Sequence, residues 1–368
     1  MVECQLPKLN VAGSSPVPRS SPPLFRLGGF LLTGRGLGKY LYEEGKVPFD
    51  RPKTNRGLGL PRWFCVLDYF FLLRPMILIP VWLFLLLGHY HALDLIDAYR
   101  WLDQLHPSLD LAVVFVGFTL LVGGIYVNNQ IHDHETDRRN RKLYLVCDGY
   151  ISLKKAWVYQ GVVQALALAS CLWFWDSGYL WVILASIILG FLYNTPPFKL
   201  KGRPVLDILA NGLGNGFLNV AVGFVVVLPL TWGFSTICLP YVLAVGAVFA
   251  NTTAVDTAGD AESGERTSAV VFGVRAVAWS ALVLMAGCVT LAALWGVWPA
   301  LAAGGVSLPF FIPALTVKRK WLKLSYTATT GVFALAAAAL FPWFLPFLVL
   351  VVILTRYYYR RKFGLKYP

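Results

Sequence analysis

The sequence predicts an all-α, polytopic membrane bundle of nine to ten transmembrane helices, and three observations predict it. Hydrophobic residues make up 57% of the 368 and charged residues only 14%, with a mean hydropathy of +0.62, a composition foreign to ordinary soluble domains. The apolar residues fall in successive runs near the roughly 20 residues that cross a 30 Å hydrocarbon layer. The basic residues behind the formal charge of +13 gather in alternate connections between those runs, which is the positive-inside bias and argues against nucleic-acid binding.

Residues 1–60 are rich in Ser, Pro and Gly, carry Arg and Lys, and lack the uninterrupted apolar core of a secretory signal. They predict a flexible basic tail in the cytosol; a cleaved organellar transit segment is the alternative, since acids are scarce before Glu43. The transmembrane domain, residues 61–368, opens with an amphipathic approach carrying Asp68 and Arg74. Span one then enters the bilayer after Pro75, a residue tolerated at a helix start. Spans two to eight are expected at about 109–131, 155–174, 178–195, 205–229, 236–255, 268–295 and 298–316. The last apolar stretch, residues 326–358, is broken at FPWFLP. Its basic end, RYYYRRKFGLK, belongs on the cytosolic side, which favours two short helices of about 16 residues and ten spans; a single bent helix gives nine.

Sidedness follows from charge. Lys46, Arg51, Lys53, Arg56 and Arg62 precede span one, Arg138, Arg139, Arg141, Lys142, Lys154 and Lys155 separate spans two and three, Lys199, Lys201 and Arg203 separate four and five, and Lys318, Arg319, Lys320 and Lys323 follow span eight. The alternate loops hold Asp94, Asp97 and Asp103 against a single Arg100, or Asp176 alone. This places the protein in the cytoplasmic membrane with its acidic motifs facing the cytosol.

Those motifs are patterned. NNQIHDHETD, residues 128–137, ends span two, and Asn129, Asp133 and Asp137 recur every fourth residue, so on a helix each lies only about 40° round from the last. VDTAGDAESGERT, following span six, sets Asp256 and Asp260 four apart, and aligning Asp133 with Asp256 also matches Asp137 to Asp260 and Asn128 to Asn251. Either wall alone reads as a solvated helix end; the pairing points to two halves of one site. Facing walls of oxygen ligands suit Mg²⁺, which takes a few carboxylates from protein and other ligands from substrate phosphates. His132 and His134 lie about 100° to either side of Asp133 and cannot join it on an unbroken helix, which sets zinc aside. The six cysteines are dispersed, without a CxxC pair, and read as apolar filler.

Pro196 and Pro197 end span four and leave Tyr193, Asn194, Lys199 and Lys201 level with the acidic walls. Lysine there is a point-charge partner for phosphate, or else a plain positive-inside marker. Span five carries Asp207, Asn211, Asn215 and Asn219 at four-residue spacing among Gly212, Gly214, Gly216 and Gly223. Such a stripe turns inward, where it lines a cavity or joins close-packed helices.

NxxxDxxxD at residues 129–137 with NRK at 140–142, YNTPPFKLK at 193–201, DTAGDAESGERT at 256–267 and LLRP at 72–75 together resemble the UbiA superfamily of intramembrane prenyltransferases, in order and spacing, from about residue 65 to the C-terminus. The resemblance implies a bundle around a central cavity and Mg²⁺, two ions, held through the diphosphate. It implies transfer of a prenyl group from an isoprenoid diphosphate to a lipophilic acceptor of aromatic, quinone-precursor, tetrapyrrole or carotenoid type, among membrane lipids. Asn129, Asp133, Asp137, Asp256 and Asp260 would then bind metal and diphosphate, and Arg141, Lys199 and Arg266 would contact phosphate oxygens. Arg74, Tyr193, Asn194, Lys201 and Asn211 complete the implied substrate-binding set.

Three departures stand out. Gln130 replaces the usual Asp, Lys142 the usual Pro, and Thr253 an acid often found before the second wall. They leave the walls intact but move the chain away from the hydroxybenzoate and menaquinone types, and Gln130 with LDILANGLGNG is similar to chlorophyll-synthase-like and carotenoid-elongating members. The competing readings are a relative that moves another diphosphate-activated group, such as phosphoribosyl, or cyclises its own prenyl chain, and a transporter. A transporter would carry its carboxylates near the membrane midplane, whereas these fall at helix ends.

Overall fold

The computed structural model describes residues 61, 63–139, 144–175 and 177–365, and every regular element among them is helical. The expected tail, residues 1–60, and Arg141 with Lys142 lie outside the described residues. In chain order the helices are α1 (Phe64–Leu72), α2 (Pro75–Leu95), α3 (Leu109–His132), α4 (His134–Arg139), α5 (Tyr144–Cys147), α6 (Leu153–Ala169) and α7 (Tyr179–Asn194). Next come α8 (Leu206–Asn211) and α9 (Asn219–Val225), joined by a π-helical turn over Gly212–Leu218, then α10 (Phe234–Glu262), α11 (Ser268–Phe272) and α12 (Val274–Trp295). The chain closes with α13 (Trp298–Ser307), α14 (Phe311–Ala314), α15 (Arg319–Leu340) and α16 (Phe344–Phe363).

Local chemistry sets these boundaries. Arg74, ahead of Pro75, takes the left-handed conformation at φ 61°, ψ 61°, and this turn divides α1 from α2. Ser108 and Ser152 cap α3 and α6 by accepting the amides of Leu111 at 3.2 Å and Lys155 at 3.4 Å. Among the described residues, five helical stretches are long and apolar enough to cross a membrane, namely Pro75–Leu95, Leu109–His132, Leu206–Val225, Phe234–Glu262 and Val274–Trp295, and Tyr179–Asn194 and Trp298–Ala314 are shorter apolar ones. This is a multi-pass membrane protein.

The final stretch is two helices, broken at residues 341–343. They run to 22 and 20 residues, not the 16 expected, because both continue past the apolar run into their basic ends. Their direction follows from side-chain contacts. The end of α15 meets the loop after α2, where Tyr99 Oη donates to Leu340 O at 2.8 Å and Trp101 Nε1 to Ala339 O at 2.9 Å, satisfying carbonyls that the helix end leaves open. Burial pushes the Tyr99 phenol up to about 12, so it remains a donor at neutral pH. The end of α16 meets α1, before α2, through Tyr358 and Lys362. Helix α16 therefore returns along α15, and a single bent helix does not occur.

Glycines in span five let backbones touch. A Cβ on Gly223 would lie 1.9 Å from Leu85 O, one on Gly88 2.0 Å from Val220 O, and one on Gly216 2.6 Å from Val242 Cα, so span five is pressed between α2 and α10. Gly223→Val is accordingly expected to lower the thermal midpoint sharply, whereas Gly331→Ala, on an open face of α15, should be neutral or stabilise by up to about 1 kcal/mol. Thermal unfolding in detergent compares the two directly.

Candidate active site

The first acidic wall forms where α3 ends. Asp133 leaves the helix at φ −96°, ψ 6°, so the unbroken ladder expected from sequence is interrupted there. The four-residue rhythm nevertheless survives, because the Asp133 amide donates to Asn129 O at 2.9 Å and the Asp137 amide to Asp133 O at 2.8 Å. His132 and His134 turn back on their own chain, each Nδ1 lying 2.9 and 2.8 Å from Asn128 O and Ile131 O, so the break does not bring either imidazole into the wall.

Asn129 is the hinge of a short polar chain. Its Nδ2 donates to Asp133 Oδ2 at 2.9 Å and to Asn194 Oδ1 at 2.8 Å, which turns its own Oδ1 outward as an acceptor. Asn194 is only 2% exposed: its Oδ1 accepts from Asn129 and its Nδ2 donates to Gly190 O at 3.1 Å, so it supports Asn129 from the α7 side. Gln130, beside Asn129, faces the other way and donates to Leu72 O at 2.8 Å and Tyr126 O at 3.2 Å. A carboxylate there would set an acceptor against those carbonyls, which explains in this chain an amide at that position.

The second wall rises on α10, which runs seven residues beyond the predicted span and so carries Asp256 and Asp260 on a continuous helix. Asp256 is exposed, while Asp260 is half-buried and accepts from Thr267 Oγ1 at 3.1 Å. Asn251, the counterpart of Asn128, is fully buried and donates to Ser325 Oγ at 2.8 Å, joining α10 to α15 away from the carboxylates.

The loop carrying Lys199 and Lys201 connects the two walls. Lys201 Nζ is paired with Asp133 of the first, and Lys199 Nζ with Glu265 just beyond the second. The Arg266 amide donates to Gly202 O at 3.2 Å, while its guanidinium end is exposed. One loop thus spans from α3 to the end of α10, and both walls lie at the same end of the bundle. Lys199, at φ 38°, and Val205, at φ 68° and β-branched, hold the loop in backbone conformations that L-residues seldom adopt, a cost met by surrounding contacts.

Asp207 supplies the firmest of those contacts. Fully buried, it accepts from the Ser268 amide at 2.7 Å, from Ser268 Oγ at 2.5 Å and from the Ile208 amide at 2.9 Å, and Ser268 Oγ in turn accepts the Val205 amide at 2.7 Å. It therefore leaves the polar stripe and pins the loop to the start of α11. The rest of the stripe is an amide ladder: Asn219 donates to Asn215 and Asn215 to Asn211, both at 3.3 Å, and Asn211 to Tyr193 Oη at 2.9 Å. Asn211 also donates to Asp207 O at 2.9 Å, so it orients Tyr193 from behind. Arg74 sets its guanidinium 5.9 Å from the Tyr126 ring centre. Glu265, Asp207 and Ser268 were not singled out as partners from sequence; Glu265 lies inside the second acidic string, which is the signal that was available.

A mixed-charge site of carboxylates, amides and lysines, gathered at one end of a multi-pass helical bundle, defines the class. Residues 77–325 match the UbiA prenyltransferase family, and the chain belongs to it. It is similar to a homogentisate phytyltransferase of Synechocystis sp., 28% identical over 210 residues, which cover 53% of this chain and 65% of that protein. It is also similar to the chloroplastic 2-acyl-4-prenylphloroglucinol 6-prenyltransferase of Humulus lupulus, 28% identical over 43% of this chain and 41% of that protein. The matched stretch thus spans less than two thirds of either relative. A UbiA homolog from Archaeoglobus fulgidus bound to GPP and Mg²⁺ shares the fold, with a TM-score of 0.55 at 20% identity over 74% of this chain and 99% of that one.

Proposed function

We propose that this protein transfers a prenyl group from an isoprenoid diphosphate to an aromatic acceptor inside the membrane. The single observation that carries the reading is the lysine loop joining two acid-bearing helix ends, with Lys201 on Asp133 and Lys199 beside Glu265. A lysine seated on a carboxylate is a cation waiting for a better one. With metal and diphosphate bound, Asp133 would be free to hold the metal and Lys201 to hold a phosphate oxygen, so that charge is exchanged rather than exposed.

The donor set suits Mg²⁺. It is wholly oxygen, from Asn129, Asp133, Asp137, Asp256 and Asp260, the ligand type of a hard cation that takes its remaining ligands from substrate phosphate and water. These five residues would hold two ions, and Mg²⁺ supplies neutralisation of the leaving diphosphate. Lys199, Lys201, Arg141 and Arg266 add fixed positive charge where negative charge develops. Tyr193, held by Asn211, offers a ring face to an allylic cation, worth roughly 0.5 to 2 kcal/mol. Ten crossings around a central chamber would exclude water from that cation, with the charged end on the side of the basic loops, the cytosol of a cytoplasmic membrane.

For the acceptor, the homogentisate and phloroglucinol relatives point to a phenolic ring, and away from the tetrapyrrole and carotenoid types toward which Gln130 leaned. The test is purified protein in lipid nanodiscs with Mg²⁺, labelled geranylgeranyl diphosphate and either homogentisate or an acylphloroglucinol, followed by mass spectrometry. A prenylated ring formed only with acceptor and Mg²⁺ is the expected product. Cyclised or merely hydrolysed prenyl chains, unchanged by acceptor, would sink the proposal.

A further inference from the structure

Helix α16 ends in a charge withdrawn from water. Lys362 is 2% exposed and its Nζ is paired with Asp68 Oδ1 of α1, a residue itself 3% exposed. Tyr358 Oη donates to the same oxygen at 2.7 Å, and its ring stacks on Phe71 and Phe64 with centroids 3.9 and 5.6 Å away. Lys362 also lies 4.5 Å from the ring centre of Tyr150, on the segment that leads into α6. The C-terminal helix thus grips the chain before α3 and the chain after it.

The far end of α1 reaches the candidate site. Leu72 O receives Gln130 Nε2 at 2.8 Å, Gln130 is 2% exposed, and its neighbour is Asn129. A buried ion pair adds little net stability compared with apolar side chains of the same size, but a displaced partner leaves an uncompensated charge, so the pair holds a narrow geometry. Resting on the function proposed above, we propose that Asp68, Lys362 and Gln130 are positioning residues: the C-terminal helix latches α1, and α1 through Leu72 holds the Asn129–Asp133 wall in register for metal and diphosphate. None of the three touches the reacting atoms.

The test is thermal unfolding of the full chain as Mg²⁺ is titrated at fixed inorganic pyrophosphate, so that it does not depend on turnover. Wild type should gain stability with Mg²⁺. Lys362→Met and Gln130→Met should raise the Mg²⁺ midpoint several-fold, by about 10-fold at most, since both act on the ligands through α1 and not by direct contact, where the loss is about 10- to 100-fold. The double variant Asp68→Asn/Lys362→Met, which removes both charges and keeps an acceptor for Tyr358, should return toward the wild-type midpoint. Variants with a lower ligand-free Tm but an unmoved midpoint would make α16 a brace for the fold alone and overturn the latch. So would a double variant as impaired as Lys362→Met. Gln130→Met, which keeps the side-chain length, gives the answer even if the Lys362 variant does not fold. Should wild type itself not respond to Mg²⁺ and pyrophosphate, the functional reading falls and the latch with it; a responding wild type with unmoved variants removes the latch only.

Discussion

Alanine at Asp133 or at Asp256 is expected to lower prenyl transfer by about 10²-fold or more, with the protein still folded, because each removes a fixed group from the place where diphosphate charge develops. The two variants should differ in stability. Asp256 is exposed, so its loss should leave the thermal midpoint near wild type, whereas Asp133, a fifth exposed, leaves the mostly buried Lys201 without its partner, so Asp133→Ala should lower the midpoint moderately. Turnover of labelled geranylgeranyl diphosphate at saturating Mg²⁺ should collapse in both. Near-normal turnover in both variants would remove the assignment of the two walls. Unfolding of either would show that the carboxylates hold the fold instead.

Asp207→Ala should do the opposite, damaging the fold first. It strips a fully buried carboxylate from three donors and leaves the Ser268 amide and hydroxyl and the Ile208 amide to find other partners. Each hydrogen bond to a charged group is worth about 1.5–3 kcal/mol, so a loss of roughly 3 kcal/mol or more is expected, with Asp207→Asn intermediate because it keeps one acceptor. Activity should fall in step with stability as the Lys199–Lys201 loop loses its anchor. A midpoint equal to wild type for the alanine variant would mean that the loop is held by something else.

Much of the fold was legible because lipid imposes so plain a rule. Runs of apolar residues near membrane thickness gave the helix positions within a few residues, and Arg74–Pro75 marked the first helix boundary. What pattern concealed were the ends. Helices α10, α15 and α16 continue beyond the apolar run, since a helix needs no lipid to persist once its carbonyls are satisfied. The second wall depends on that continuation.

The candidate site was partly legible. Four-residue spacing singled out Asn129, Asp133, Asp137, Asp256 and Asp260 as candidates, and proline marked the end of α7. It could not separate residues that face a ligand from residues that hold others in place. Asp207 and Asn211 share the stripe's period, yet one pins a loop and the other orients a phenol; Asn194 lies next to Tyr193 in sequence and behind Asn129 in space. The three departures likewise divide: Gln130 grips Leu72, Thr253 returns its hydroxyl to Ala250 O at 2.9 Å, and Lys142 lies outside the described residues.

By itself, then, the sequence determined a helical membrane protein, the places of its helices and its acid-bearing motifs, because hydropathy and periodicity are properties of neighbouring residues. Only the tertiary structure decided which charge meets which. Lys201 with Asp133, Lys199 with Glu265, and Lys362 with Asp68 join residues 68, 66 and 294 positions apart, and pairings of that separation are set by how the helices pack. No local pattern encodes them.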